Sequence, residues 1–218
     1  MRVPLVNRLH NVAILLATAG LTLTQGIARA APNGTWLSQP QIWFYTAHRP
    51  SIEKVMAQIR SQRYRVVFLD YRKVPDQTQK QVAQAAREQG LIPVVWVQSP
   101  QYRAMTIADL VHEARHGDGL QVDDHFFANY SLSHFYRLRQ IYKKPIFCSI
   151  QPFQAAKLPR SGCNQLDVQC YSAPRFNGCV KLADRLGAVV SLSTKNTLGY
   201  LNGLGSRKFN TFLWRESS

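Results

Sequence analysis

Acidic side chains are few in this sequence. Its 218 residues include 12 aspartates and glutamates against 27 lysines and arginines, which gives a formal net charge of +15 at pH 7. A basic chain of this kind favours anionic partners such as acidic glycans, cell-wall polymers or a lipid surface, although the charge also serves solubility. Because the basic residues are scattered rather than grouped in a block, nucleic acid is not expected as a partner.

Long apolar runs are missing after residue 30, so the sequence predicts no membrane span there. Residues 12–24 are mostly apolar, follow the basic Arg2 and Arg8, and precede an Ala-Arg-Ala sequence that ends at Ala30. This order is typical of a secretory signal peptide over residues 1–30. An uncleaved anchor is the alternative, but the apolar run is short for a bilayer. We therefore expect an exported protein, periplasmic or extracellular after cleavage near Ala30.

Cysteine is limited to four positions within the C-terminal half. No Cys-x-x-Cys pair and no histidine lies between them, which argues against a metal site. An even number of cysteines in an exported chain predicts up to two disulfides, and free thiols are the alternative. Three pairings are possible, and the sequence does not choose among them. The four residues are Cys148, Cys163, Cys170 and Cys179.

A glycine-rich phosphate loop is also missing after the first predicted strand, and no cofactor is indicated. We count eight strand-like apolar segments, each followed by a helix or a loop, and this order predicts parallel strands with right-handed crossovers. The expected fold is α/β, a small (β/α)8 TIM-type barrel with a trimmed second half. An open doubly wound sheet is the alternative. We expect an N-terminal loop over residues 31–40 and a single barrel domain over residues 41–218.

The eight predicted strands are bounded by helix caps, glycines and prolines. They cover residues 42–47, 66–71, 91–98, 120–123, 145–151, 168–172, 188–192 and 211–215. In a barrel, strand residues alternate between the helix layer and the interior. Apolar residues belong to the helix layer, so the polar and aromatic residues between them should point inward and reach the mouth. Trp36 lies before the first predicted strand, and we expect it to plug the floor.

The most informative segment covers residues 119–126, with the sequence Gly-Leu-Gln-Val-Asp-Asp-His-Phe. It predicts a fourth strand that ends in two adjacent carboxylates, Asp123 and Asp124. Glycoside hydrolysis needs one carboxyl group as a proton donor and another as nucleophile or base. Neighbouring carboxylates also raise each other's pKa. Adjacent strand residues point apart, however, so the partner of Asp123 is expected from another strand, either Glu216 or Asp70.

Several other side chains are predicted to line the mouth and bind sugar. Aromatic faces suit the C–H surfaces of a sugar, and amides and imidazoles suit its hydroxyl groups. A metal bound by Asp123, Asp124 and His125 was the alternative at this site, but three consecutive residues rarely converge on one ion, so no metal is predicted. The predicted substrate-binding residues are Tyr45, His48, Trp96, Gln98, His125, Gln151, Tyr171 and Trp214.

Residues 119–126 resemble the G-[IL]-x-x-D-D-[HY]-F signature of exported glycoside-hydrolase-like TIM barrels, the family-10-like glycosyl hydrolases. Residues 43–48 and 66–71 also fit the opening of that family. The resemblance implies hydrolysis of a polysaccharide or cell-wall glycan by carboxylates at the barrel mouth. The family often carries its second acid at the end of strand six or seven, where this chain has Tyr171 and Ser191. A non-catalytic carbohydrate-binding barrel is therefore the alternative function.

A third functional hypothesis comes from Ala47, His48 and Arg49. These residues resemble the Ala-His-Arg sequence of glycerophosphodiester phosphodiesterases, which are also TIM barrels. In that family a glycine follows and a Glu-Asn-Thr triplet lies downstream. Here Pro50 follows and the triplet is missing. The phosphodiesterase is accordingly the least favoured of the three functional hypotheses, after the glycoside hydrolase and the carbohydrate-binding barrel.

Overall fold

Eight parallel strands close into a barrel in chain order. The computed structural model describes residues 30–48, 50–97, 105–159 and 161–215. Each strand pairs with the next, and the last pairs with the first. The predicted (β/α)8 barrel is thereby confirmed. Its strands are β1 Ala31–Leu37, β2 Val66–Leu69, β3 Ile92–Trp96, β4 Gly119–Val122, β5 Ile146–Ile150, β6 Gln165–Gln169, β7 Val189–Ser193 and β8 Lys208–Phe212.

Seven α-helices surround the described part of the barrel. Two of the later crossovers are short 3-10 segments, Pro152–Lys157 and Leu198–Leu204, which agrees with the predicted trimming of the second half. The described residues include no helix long and apolar enough to cross a membrane. The helices are α1 Gln39–Ala47, α2 Ile52–Ser61, α3 Asp76–Glu88, α4 Ile107–Glu113, α5 Asp124–Asn129, α6 Leu132–Ile141 and α7 Phe176–Leu186.

The first strand lies earlier in the chain than predicted. Residues 31–40 were expected to form a loop and residues 42–47 a strand, whereas the former contain β1 and the latter belong to α1. The glycine in β1 serves close packing, since a Cβ at Gly34 would lie 2.7 Å from Cε2 of Phe68. The helix begins after Ser38, whose backbone N–H donates to Oε1 of Gln41 at 3.0 Å. This capping-box contact favours a helix over the strand.

The barrel interior holds its own apolar cluster, separate from the larger core under the helices. It consists of Trp36, Val66, Phe68, Val94 and Phe147. The ring of Trp36 stacks on Phe68 with centroids 4.2 Å apart. Its Nε1–H donates to Oε1 of Gln121 at 2.8 Å, and the ring lines the mouth cavity. The expectation that Trp36 plugs the floor is therefore wrong, because it belongs to β1 itself.

Two disulfides brace the second half of the barrel. Cys148 on β5 pairs with Cys163 just before β6, and Cys170 after β6 pairs with Cys179 on α7. The prediction of two disulfides is confirmed, and the structure supplies the pairing. Both bonds join elements that are close in sequence, 15 and 9 residues apart. The predicted signal peptide lies outside the described residues except for Ala30.

Candidate functional site

A cavity of about 260 Å³ opens at the carboxyl ends of the strands. Side chains from six strands or the residues that follow them reach it, which agrees with the inward positions predicted for strands three to six. The mouth of a parallel barrel is where such folds place ligand-binding groups. The lining residues are Trp36, Trp96, Gln121, Asp123, Asp124, His125, Ser149, Gln151, Gln169, Tyr171 and Phe212.

The two carboxylates of the motif converge in this cavity. One ligand atom each from Asp123, Asp124 and His125 lies within 4.8 Å of the others. The expectation that adjacent side chains point apart is wrong here, because β4 ends at Val122 and the chain turns at once into α5. Oδ1 of Asp123 accepts from the backbone N–H groups of His125 at 3.0 Å and Phe126 at 3.3 Å. This N-cap turn aims the carboxylates into one space.

Asp123 is nearly closed off from solvent. It is 5% exposed, and its Oδ2 accepts from Nε1–H of Trp96 at 2.9 Å. Burial, together with the charge of Asp124, raises the pKa of Asp123 to about 6. The nearby His125, the indole N–H and a backbone N–H lower the pKa in part. Asp123 therefore keeps a proton at a pH where an exposed aspartate has lost it.

Asp124 is held quite differently, by amide donors from the neighbouring strand ends. Nε2–H of Gln151 donates to its Oδ2 at 2.7 Å, and Nε2–H of Gln169 donates to its Oδ1 at 2.9 Å. Nε2–H of Gln154 donates to its backbone oxygen at 2.7 Å. Three glutamines thus fix the position of Asp124 above the ends of β5 and β6. The adjacent carboxyl groups have unlike surroundings, as a proton donor and a carboxylate partner require.

Asp167 on β6 is a third carboxyl group beneath the pair, and the sequence prediction missed it. It is fully buried, and its Oδ2 accepts from Oγ–H of Ser149 and of Ser191, both at 2.7 Å. Its Oδ1 has no partner within the part of the chain that the structure describes. Burial raises the pKa of Asp167 to about 7, the two hydroxyls oppose this, and Asp123 and Asp124 add to it. Alternation from Gln169 could have identified Asp167, but the predicted strand began one residue too late.

Asp167→Asn is expected to raise stability above neutral pH. An unfolded aspartate loses its proton near pH 4, whereas folded Asp167 holds it to about pH 7, so wild-type stability falls as pH rises through that window. The neutral amide avoids this loss, and its advantage in unfolding free energy grows from near zero at pH 4 to at most about 4 kcal/mol at pH 8. Urea unfolding at several pH values measures it.

The matched control for that measurement is Asp184→Asn at the surface. Arg207 holds the pKa of Asp184 below its ordinary value, so this variant is expected to lose a little stability above pH 4, the opposite direction. A constant difference between Asp167→Asn and the wild type from pH 4 to pH 8 contradicts the account of Asp167.

Asp70, a predicted catalytic partner, stands outside the mouth cavity. It is buried directly after β2 and forms an ion pair with Arg72, whose Nε donates to Oδ1 at 2.7 Å. The Arg72 guanidinium lies 5.6 Å from the centroid of the Trp96 ring. Asp70 is thus positioned behind Trp96, whose indole N–H contacts Asp123. The structure does not bring Asp70 together with the carboxylate pair.

Three further predicted residues do not line the mouth cavity of the described structure. Glu216 and Gln98 lie outside the described residues. Trp214 is buried among the helices, with its Nε1–H donating to Oε1 of Gln62 at 3.0 Å. The prediction that it points inward is wrong because Leu213, with φ of 66°, turns the chain at the end of β8.

The aromatic and imidazole residues predicted on strand one lie on α1 instead. Tyr45 is half-buried with its ring 6.1 Å from that of Trp214, and His48 is the exposed C-cap. Neither lines the mouth cavity. Ala47 and His48 therefore end a helix rather than a strand, which removes the setting of the phosphodiesterase motif, and Arg49 is not among the described residues.

Two polar groups in the cavity have free hydrogen-bonding capacity. Nε2 of Gln121 is buried without a partner among the described residues, although its Oε1 is used by Trp36. The ring of His125 likewise has no hydrogen-bond partner in the described ranges. Tyr171 is half-buried on the same wall, and burial beside Asp167 raises its pKa well above the ordinary range. A ligand with several oxygen atoms would satisfy these groups.

Asp123, Asp124 and His125 are also the residues that could hold a divalent cation, since carboxylate and imidazole are suitable ligands. Each of the four carboxylate oxygens, however, already accepts from an N–H group of the chain. Ligating carboxylates carry such hydrogen bonds too, so these contacts fit either a hydrogen-bonded carboxylate pair or a cation site.

Comparison with known proteins identifies the fold alone. No family model and no curated protein matches the sequence. A truncated 3-deoxy-D-arabino-heptulosonate 7-phosphate synthase from Thermotoga maritima has TM-score 0.54 and 12% identity, over 85% of this chain and 75% of that one. A dihydrodipicolinate synthase family protein from Coccidioides immitis has TM-score 0.55 and 9% identity, over 84% and 67%. The 3-dehydroquinate dehydratase from Aquifex aeolicus has TM-score 0.51 and 12% identity, over 85% and 90%. This chain has the TIM-barrel fold of such enzymes.

Proposed function

We propose that this protein is an exported glycoside hydrolase that cleaves a polysaccharide or cell-wall glycan at the barrel mouth. The observation that carries the proposal is the pairing of Asp123 and Asp124. One oxygen atom of each carboxyl group lies within 4.8 Å of the other in one cavity, yet one carboxyl group is buried against indole and the other is held by two amides. Acid-assisted glycoside cleavage requires two carboxyl groups whose different surroundings leave one protonated and the other ionised.

The environments assign the two roles. Asp123, whose pKa is raised to about 6, is the acid that protonates the leaving glycosidic oxygen. Asp124, fixed by Gln151 and Gln169, is the nucleophile that attacks the anomeric carbon. One oxygen of each carboxyl group lies within 4.8 Å of the other, and this upper bound fits the spacing of about 5–5.5 Å in retaining glycosidases, so we propose retention. The attack forms a covalent glycosyl-enzyme bond to Asp124. Asp123, now a carboxylate, takes a proton from water, which attacks the anomeric carbon, breaks the bond to Asp124 and releases the sugar with its original anomeric configuration.

The cavity wall suits a sugar ring. Trp36, Trp96 and Tyr171 offer aromatic surface, and the Nε2–H of Gln121, which has no partner among the described residues, is a buried donor for a sugar hydroxyl. Such sites combine apolar walls with a few placed polar groups. Export is part of the proposal because two disulfides fit an oxidising compartment, as does the signal-like N-terminus.

A non-catalytic carbohydrate-binding barrel is the second candidate. Among the described residues, Asp123 and Asp124 supply the only carboxylates that line the cavity. Both oxygens of Asp124 are already engaged by glutamines. A site in which Asp124 serves only to orient those amides would bind sugar without cutting it.

A glycan panel tests the proposal. The full chain is incubated with neutral and acidic polysaccharides, and the release of reducing ends is followed beside binding of the same polymers. The proposal expects release from at least one glycan. Binding without release from any glycan overturns the hydrolase and supports the binding barrel, while neither binding nor release overturns both.

A further inference from the structure

A second and larger cavity adjoins the mouth. Its volume is about 770 Å³, against about 260 Å³ for the mouth cavity. The two cavities share Gln151, Gln169 and Tyr171 as lining residues. The first two are the glutamines that hold Asp124, so the boundary between the cavities lies at the proposed nucleophile. A ligand that passes over this boundary occupies both spaces.

The walls of the second cavity come from two rigid segments. One is the 3-10 segment Pro152–Lys157, and the other leads from the end of β6 into α7. The disulfide between Cys170 and Cys179 lies in the wall and ties that second segment to the helix. A disulfide and two prolines, Pro152 and Pro174, therefore constrain the wall of the cavity, which favours a preformed binding site.

Two exposed side chains give this cavity its chemistry. The ring of Phe153 is 76% exposed, the highest fraction among the exposed large hydrophobic residues of the described ranges. Arg175 also lines the cavity, is exposed and forms no ion pair with any described residue. An exposed aromatic ring and an unpaired guanidinium in the same cavity are typical of a surface that binds an apolar face and an anion together.

We propose that the second cavity binds the continuation of a glycan chain whose scissile bond lies in the mouth cavity, and that Arg175 pairs with a uronic acid carboxylate on that chain. The inference rests on the proposed function and names its substrate class, an acidic polysaccharide. Continuity through Gln151, Gln169 and Tyr171 argues for one ligand across both cavities. The volume of the second cavity falls within the range of about 300–1,000 Å³ that is usual for ligand pockets. The basic net charge of the chain matches an anionic polymer.

The test uses uronic acid oligosaccharides of two to six units and the same series after reduction of the carboxyl groups to alcohols. Binding is measured by calorimetry on the full chain with Asp123→Asn, so that cleavage does not consume the ligand. Affinity is expected to rise at least tenfold from two to six units, and to be greater for the acidic series. Arg175→Gln is expected to weaken binding of the acidic hexasaccharide about threefold to fivefold, as for an exposed charge pair, and to leave its reduced counterpart unchanged.

The matched control is Arg185→Gln in the last turn of α7. Arg185 is exposed on the same helix but lies at the opposite end of the barrel. Phe153→Ala separates the contribution of shape from that of charge. It should weaken binding of the acidic hexasaccharide and of its reduced counterpart alike, and leave binding of the disaccharides unchanged. Equal effects of Arg175→Gln and Arg185→Gln, or an affinity that does not depend on chain length, overturn the inference. Length-dependent binding without cleavage by the wild type overturns the proposed hydrolase and leaves the extended site standing.

Discussion

Asp123→Asn is expected to lower the rate of glycan cleavage by about 10³-fold or more, because the amide cannot protonate the leaving oxygen. The amide keeps the shape of the carboxyl group, but only one of its two terminal atoms accepts, so either the Trp96 contact or the two backbone N–H contacts are lost. Urea unfolding and glycan binding of the variant are therefore measured beside its rate. Asp184→Asn, a carboxylate far from the cavity, is the control and should retain full activity. Initial rates of reducing-end release measure the effect. A variant with Asp123→Asn that keeps more than a tenth of the wild-type rate contradicts the assignment.

The pH dependence of the wild type follows from the same group. Burial raises the pKa of Asp123 to about 6, so the acid form that donates the proton is depleted as pH rises through 6. The cleavage rate should therefore fall about tenfold per pH unit above that value. A rate that stays constant from pH 6 to pH 8 argues against a buried acid with this pKa.

Loss of both disulfides is expected to destabilise the fold by about 5–6 kcal/mol, with loop-closure entropy near 3 kcal/mol for each bond. The cysteines of each pair are separated by 15 and 9 residues. Replacing Cys148 and Cys163 by alanine removes one bond, and replacing Cys170 and Cys179 removes the other. Urea unfolding measures each effect, and additivity of the two double variants is the internal control.

Loss of the Cys170–Cys179 disulfide, which joins the end of β6 to α7, has an additional consequence. Its removal should loosen the wall of the second cavity and weaken binding of long oligosaccharides more than that of disaccharides. Removal of the Cys148–Cys163 bond should not change that ratio, because this bond does not line the cavity. An unchanged unfolding midpoint in both double variants contradicts the stabilising role of the disulfides.

The regular part of the fold could be predicted because its signals are local. Strands three to six alternate apolar and polar residues, and the alternation places Gln121, Asp123, Ser149 and Gln169 inward as observed. The first strand was missed because Gly34 and its neighbours have the composition of a loop. Only the packing against Phe68 explains that glycine, and this contact is distant in sequence.

The candidate site was partly predictable for the same reason. The motif indicated the carboxylates, but their convergence depends on a strand ending at Val122 and a helix beginning at Asp124. A shift of one residue in that boundary reverses the direction of a side chain. Arg72 engages Asp70, and the turn at Leu213 buries Trp214 under the helices. Contacts of this kind arise from tertiary structure and leave no periodic signal.

The central claim is that Asp123 and Asp124 act together on a glycosidic bond. Its most direct test is proton NMR of the anomeric signals while the full chain acts on a susceptible glycan, beside Asp124→Ala with and without azide. Our account predicts that the wild type first releases the retained anomer. It also predicts that Asp124→Ala is inactive until azide is added, and then forms a glycosyl azide of inverted configuration. Unchanged cleavage by Asp124→Ala, or anomeric signals that never change with the wild type, contradicts the claim.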